Sequence, residues 1–152
     1  MTRKTELIRL FQNAVILEMC LPYMEALPDE DETFKKVLTN LSVGIYGIFR
    51  EFNTVHQTFS ITNASEAYLN NYRETFGSIS ESNATDLVTV CIGCLKRNLD
   101  VLERNVPKDY KYLKRLITSR LASHKLDKDK ALFAKGLNES LFKVAVKISE
   151  PA

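Results

Sequence analysis

The sequence predicts an all-α fold, a single compact domain of about six helices over residues 1–152 in orthogonal or bundle packing. Three observations carry this. Apolar residues recur at three- and four-residue spacing along most of the chain. Five glycines and four prolines in 152 residues leave few enforced turns. The β-branched runs 87–92 and 142–148 have helical flanks and no alternating partner segment to pair with.

The first helix is expected from about Thr5 to Ala26, capped by Thr2 or Thr5, with Leu7, Leu10, Phe11, Ala14, Val15 and Leu17 in a broad apolar stripe. Pro22 should kink or end it, because proline has no N–H to donate to the preceding turn. An acidic entry, residues 29–32, leads into a second helix from Glu30 to Thr58, since carboxylates favour the positive end of the helix dipole. Its stripe is Phe34, Val37, Leu38, Leu41, Ile45, Phe49 and Phe52, and Gly44 and Gly47 suggest a close approach by a neighbouring helix.

Asn63 followed by Glu66 has capping-box spacing, so a third helix is expected from there to Phe76, closed by Gly77. Residues 78–83 are polar and read as a loop. A fourth helix, Thr85 to Val106, is apolar on several sides at its start, which predicts the most buried position; Pro107 follows it. The fifth runs from about Lys108 to His124 on a core face of Tyr112, Leu113, Leu116, Ile117 and Leu121. The sixth runs from Asp127 to Ser149, with Leu132, Phe133, Leu137, Leu141, Phe142 and Ala145 directed at the core.

Catalytic and metal chemistry find little to build on. There are two histidines, His56 and His124, both near expected helix C-termini, where an imidazole can meet a free carbonyl and the helix dipole. No Gly-rich phosphate loop and no ordered Ser/His/Asp set is present. Cys91-Ile-Gly-Cys94 is the sharpest short motif: on a helix the two thiols share a face. A zinc site would need two more ligands, and Cys20, His56 and His124 lack paired spacing. The motif is similar to the Cys-x-x-Cys of the helical alkylhydroperoxidase-like family, which carries a histidine four residues after its second cysteine. Asn98 stands there in this chain, so the proton-transfer group implied by the resemblance is missing. Six helices also fit an apoptosis-regulator-like fold, but no Asn-Trp-Gly-Arg-like stretch occurs and the chain has no Trp. The expectation is a non-enzyme with no cofactor and no metal.

Three cysteines argue against a disulfide framework and for reduced, buried thiols in a cytoplasmic or nuclear protein. Four Asn-x-Ser/Thr sequons, at Asn40, Asn63, Asn83 and Asn138, keep a secreted helical cytokine-like protein as an alternative. No stretch has the roughly 18 apolar residues of a membrane span, and no signal-peptide h-region is seen.

The charge is divided. Residues 1–95 hold seven Lys/Arg against twelve Asp/Glu, a net of −5, and residues 96–152 hold fourteen against seven, a net of +7. Placed on helices, the positive excess concentrates from Arg104 to Lys135, and Lys108, Lys111 and Arg115 share the solvent face of the fifth helix, bordered by Lys114, with Tyr112 interleaved. These five residues are the expected partner-binding set. The partner read from them is an acidic protein surface, including the acidic half of a second copy, which would give a homodimer. RNA is the alternative, because lysines bind phosphates and tyrosines stack on bases.

Overall fold

The structure, a computed structural model, describes residues 3–26, 32–51, 55–105 and 110–149. They form seven α-helices and no strand: α1 (Arg3–Cys20), α2 (Glu32–Glu51), α3 (Val55–Phe76), α4 (Ala84–Lys96), α5 (Leu99–Asn105), α6 (Tyr110–Ser123) and α7 (Lys128–Ser149). A short 3-10 helix, Leu21–Ala26, follows α1. The all-α class is as expected. The expected boundaries change at three places, each for a local reason.

Pro22 cannot donate to the carbonyl four residues back, and the chain tightens from α to 3-10 geometry at Leu21. Asn63 is not a helix start: α3 begins at Val55, so residues 55–58, expected to end the second helix, open the third, and His56 lies in a first turn and not at a helix C-terminus. Asn63 lies exposed in the middle of α3, because the spacing Ile61–Ser65–Leu69–Tyr72 carries one buried face straight across it. The expected fourth helix is two, α4 and α5. Arg97 N–H donates to the Cys94 carbonyl at 3.2 Å and Asn98 N–H to that of Leu95 at 3.0 Å, bonds of three-residue span that turn the axis. Asn98 is buried there, its amide reaching Asn13 Oδ1 at 3.4 Å and the Cys94 carbonyl at 3.5 Å. An asparagine side chain competing for backbone partners is a recognised helix breaker. Gly77 closes α3 as expected: it has φ of 91° and donates to the Arg73 carbonyl at 2.7 Å.

Two helices form the centre. Residues 10–17 of α1 are all buried, and nine of thirteen α4 residues are buried, including Leu87, Val88, Cys91, Ile92 and Leu95. α1 packs on α2, α3, α4 and α7, while α4 also meets α6 and α7. The outer helices contribute one face each: Phe34, Val37, Leu38, Leu41, Ile45 and Phe49 from α2, and Leu113 and Ile117 from α6. On α7 the buried face is Leu137, Leu141 and Ala145. Leu132 and Phe142 were expected in the core, yet they are 57% and 40% exposed, because the four-residue ladder through 137, 141 and 145 turns both outward. The close approach expected at Gly47 is absent: an added Cβ would meet nothing within 4 Å. Among the described residues, no helix is long and apolar enough to cross a membrane.

Candidate functional site

α6 buries Leu113 and Ile117 and half-buries Leu116, Arg120 and Leu121, while residues 111, 112, 114, 115, 118 and 119 face solvent. Lys111, Lys114 and Arg115 are exposed, and Tyr112, expected on the core face, is 55% exposed because the buried face runs through Leu113 and Ile117 and turns it outward. The Arg115 guanidinium lies 5.7 Å from the centre of the Tyr112 ring, within cation–π range. Lys111, Lys114 and Arg115 line a shallow surface groove with Thr118 and Ser119. Among the described residues none of these three cations has a carboxylate partner. Lys108, the fifth residue of the expected set, lies outside the described residues, as do Asp29–Asp31 of the acidic entry.

Several other cations are engaged within the fold. Arg104 meets Glu6 at 2.7 Å and Asp100 at 3.8 Å, and Arg9 meets Asp100 at 3.2 Å. Lys130 meets Asp127 at 2.9 Å and Asp86 at 3.6 Å. Asp127 is the α7 start: its carboxylate accepts from the Lys130 backbone N–H at 2.9 Å, and these bonds hold its carboxyl below the usual range. The aromatic residues of segment 68–76 are turned inward. Tyr68 Oη is 2.6 Å from Ser140 Oγ, Tyr72 is buried, and Phe76 packs on Tyr72 and Phe133 with ring centres 4.9 and 5.5 Å away.

The three thiols are in the core, and none is in a disulfide. Cys91 and Cys94 have different hydrogen-bond partners. Cys91 hydrogen-bonds with Cys20 of α1, and that contact, followed by burial, pushes the Cys91 thiol well up. Cys94 donates to the Ala134 carbonyl at 3.3 Å, and burial pushes its thiol up to about 12. Raised thiols with no path to solvent are poor nucleophiles and poor metal ligands. No group of three or more His, Cys, Asp or Glu converges as a metal site among the described residues.

His124 ends α6, its N–H donating to the Arg120 carbonyl at 3.0 Å, but the ring does not turn to the helix end. It hydrogen-bonds instead to Asp86 of α4, a pairing across 38 positions that no local pattern announces.

A second concavity, of about 400 Å³, lies between α1, the α4–α5 turn and α7. Arg9, Gln12, Arg97, Asn98, Asn138, Glu139, Phe142 and Lys143 line it. None of these belongs to the expected site. They come from three distant segments, and each alone reads as an ordinary polar or core position.

No protein-family model, curated protein or solved structure matches this chain.

Proposed function

We propose that this chain is a non-enzymatic protein-interaction module that binds an acidic protein surface through α6. One observation carries the reading. Lys111, Lys114 and Arg115 stand exposed around Tyr112 without a carboxylate partner among the described residues, while Arg9, Arg104 and Lys130 are held in internal ion pairs. Exposed charges of one sign steer an oppositely charged partner and set its orientation. Tyr and Arg are among the residue types that most often carry binding energy, and the Tyr112–Arg115 pair places one of each side by side. The acidic surface is that of a separate protein or of a second copy of this chain. The buried thiols, none in a disulfide, fit a reducing compartment such as cytoplasm or nucleus.

The exposure of Tyr112 also favours a second reading, RNA, since an exposed ring beside lysines can stack on a base. Titration with poly-glutamate and with a single-stranded RNA of matched charge separates the two. The protein reading expects binding to poly-glutamate that disappears in the Lys111→Glu/Arg115→Glu variant while helical circular dichroism is kept. Unchanged binding in that variant removes α6 as the surface. Tighter binding to RNA, with a steep salt dependence, replaces the protein reading by the nucleic-acid one. Light scattering of the free chain decides whether the partner is its own copy.

A further inference from the structure

The cleft between α1, the α4–α5 turn and α7 has the make-up of a small-molecule site. Its volume of about 400 Å³ falls in the range of roughly 300–1,000 Å³ where such sites occur. Its floor is polar and buried: Gln12 is 2% exposed and Asn98 4%. Gln12 spends its amide N–H groups on the Asn138 backbone carbonyl and on Asn138 Oδ1, both at 2.8 Å. The backbone carbonyl can only accept, which fixes the orientation of the Gln12 amide. Asn98 spends its own N–H groups on two long contacts, to Asn13 Oδ1 and the Cys94 carbonyl. Neither Gln12 Oε1 nor Asn98 Oδ1 accepts a hydrogen bond among the described residues, and neither is sealed from solvent. Both oxygens therefore keep unused acceptor capacity beside the cleft.

The walls supply the complementary features. Arg97 and Lys143 are exposed and have no carboxylate partner among the described residues. The guanidinium of Arg9 is already committed to Asp100. Glu139 is the one carboxylate of the lining, so Arg97 and Lys143 leave the rim positive. Phe142, 40% exposed on a helix whose neighbouring face is packed, offers a flat apolar surface.

We infer that this cleft binds a free nucleoside monophosphate. The phosphate lies between Arg97 and Lys143, which give charge-assisted hydrogen bonds. The base stacks on Phe142, as bases do on aromatic side chains. Its exocyclic amine donates to Gln12 Oε1 or Asn98 Oδ1, which otherwise go unused, and Glu139 accepts from a ribose hydroxyl. Because the floor presents acceptors, bases bearing an amine are favoured over uracil, which carries only carbonyl oxygens and one ring N–H. The inference is independent of the α6 surface, since no residue is shared.

The test is a ¹⁵N-edited NMR titration that follows the side-chain amides of Gln12 and Asn98, with AMP, CMP, UMP and inorganic phosphate as probes. AMP or CMP should shift both amides saturably at millimolar concentration or below, with UMP and phosphate several-fold weaker. Arg97→Ala/Lys143→Ala should weaken AMP by about tenfold or more, the loss expected for charge-assisted bonds. Phe142→Ala should weaken AMP and leave phosphate unchanged. Both positions are exposed, and Arg97→Gln/Lys143→Gln serves if the alanine pair unfolds. No saturable shift with AMP or CMP overturns the inference, as does AMP binding unaltered in the double variant. Phosphate as tight as AMP reduces the cleft to a plain anion subsite and overturns the nucleotide assignment.

Discussion

Nε2 of His124 sits 2.7 Å from Oδ1 of Asp86, so the residue that ends α6 is clasped to the first turn of α4. The other carboxylate oxygen of Asp86 lies 3.6 Å from Nζ of Lys130, near the start of α7. Lys130 in turn lies 5.1 Å from the centre of the Phe76 ring and bonds Asp127. One carboxylate thus ties the α6–α7 connection to the central helix, beside the aromatic packing of Tyr72, Phe76 and Phe133.

The clasp predicts an asymmetric cost. Asp86→Ala removes two partners at once and a favourable charge at the α4 N-terminus, so it should destabilise by roughly 1–3 kcal/mol. His124→Ala removes one hydrogen bond and should cost less, roughly 0.5–1.5 kcal/mol. Urea unfolding of both singles and the double variant measures this. Additive effects would show that the two side chains are not coupled, against the geometry.

Alkaline pH should destabilise the fold by an identifiable route. Burial, the Asp86 charge and the Cys91 thiol push Tyr72 from 10.0 to about 12, and burial pushes Cys94 from 9.0 to about 12. For each group the folded state holds the proton more tightly than the unfolded chain. Above the unfolded value the unfolded chain has lost the proton and the native state has not, so stability falls as pH rises. The window for Cys94 opens near its ordinary value of 9.0 and closes near 12. Each such group adds a slope of up to about 1.4 kcal/mol per pH unit inside its window. Urea midpoints taken across the window should fall, and Cys94→Ala should flatten the decline. An equally steep decline in that variant would remove the thiol as a cause.

The helix faces were legible where one face only is buried. The stripe Phe34 to Phe49 and the pair Leu113 and Ile117 could be placed from spacing alone, because each of these helices packs on one side. Tyr112, Leu132 and Phe142 flank a buried face and turn outward, and helix ends were misplaced where a polar residue has two readings. Asn63 has the chemistry of a cap but sits on the open face of an unbroken helix; Asn98 has the chemistry of a helix surface but is buried where the helix turns. The choice between them depends on what lies across the interface, Asn13 in the case of Asn98. The basic face of α6 could be read because its cations are four or fewer residues apart. The α1–α7 cleft could not, since Gln12 and Asn138 meet across 126 positions.

Among the described residues, Gly77 is the glycine with a positive φ, the backbone region that favours its residue type. At φ of 91° a Cβ is strained even though space is open around it. Gly77→Ala should cost about 1–2 kcal/mol, and Gly77→Asn less, because asparagine tolerates the left-handed region. Thermal unfolding of the two variants checks the order; equal losses would mean that the α3 terminus relaxes around any side chain.

Tyr112 and Leu113 are sequence neighbours on α6 with opposite surroundings, and they separate binding from stability. Leu113 is 1% exposed and Tyr112 is 55% exposed. Leu113→Ala should therefore cost about 2–5 kcal/mol through lost burial and the cavity left behind. Tyr112→Ala removes surface contacts and should change stability by no more than about 0.5 kcal/mol. If α6 is the docking helix, Tyr112→Ala lowers affinity for poly-glutamate at unchanged stability, because the ring that aligns Arg115 is gone. If Tyr112 instead supports the fold, its loss lowers the unfolding midpoint while affinity at low temperature stays the same. Chemical unfolding and titration of these two variants under one set of conditions distinguish the outcomes.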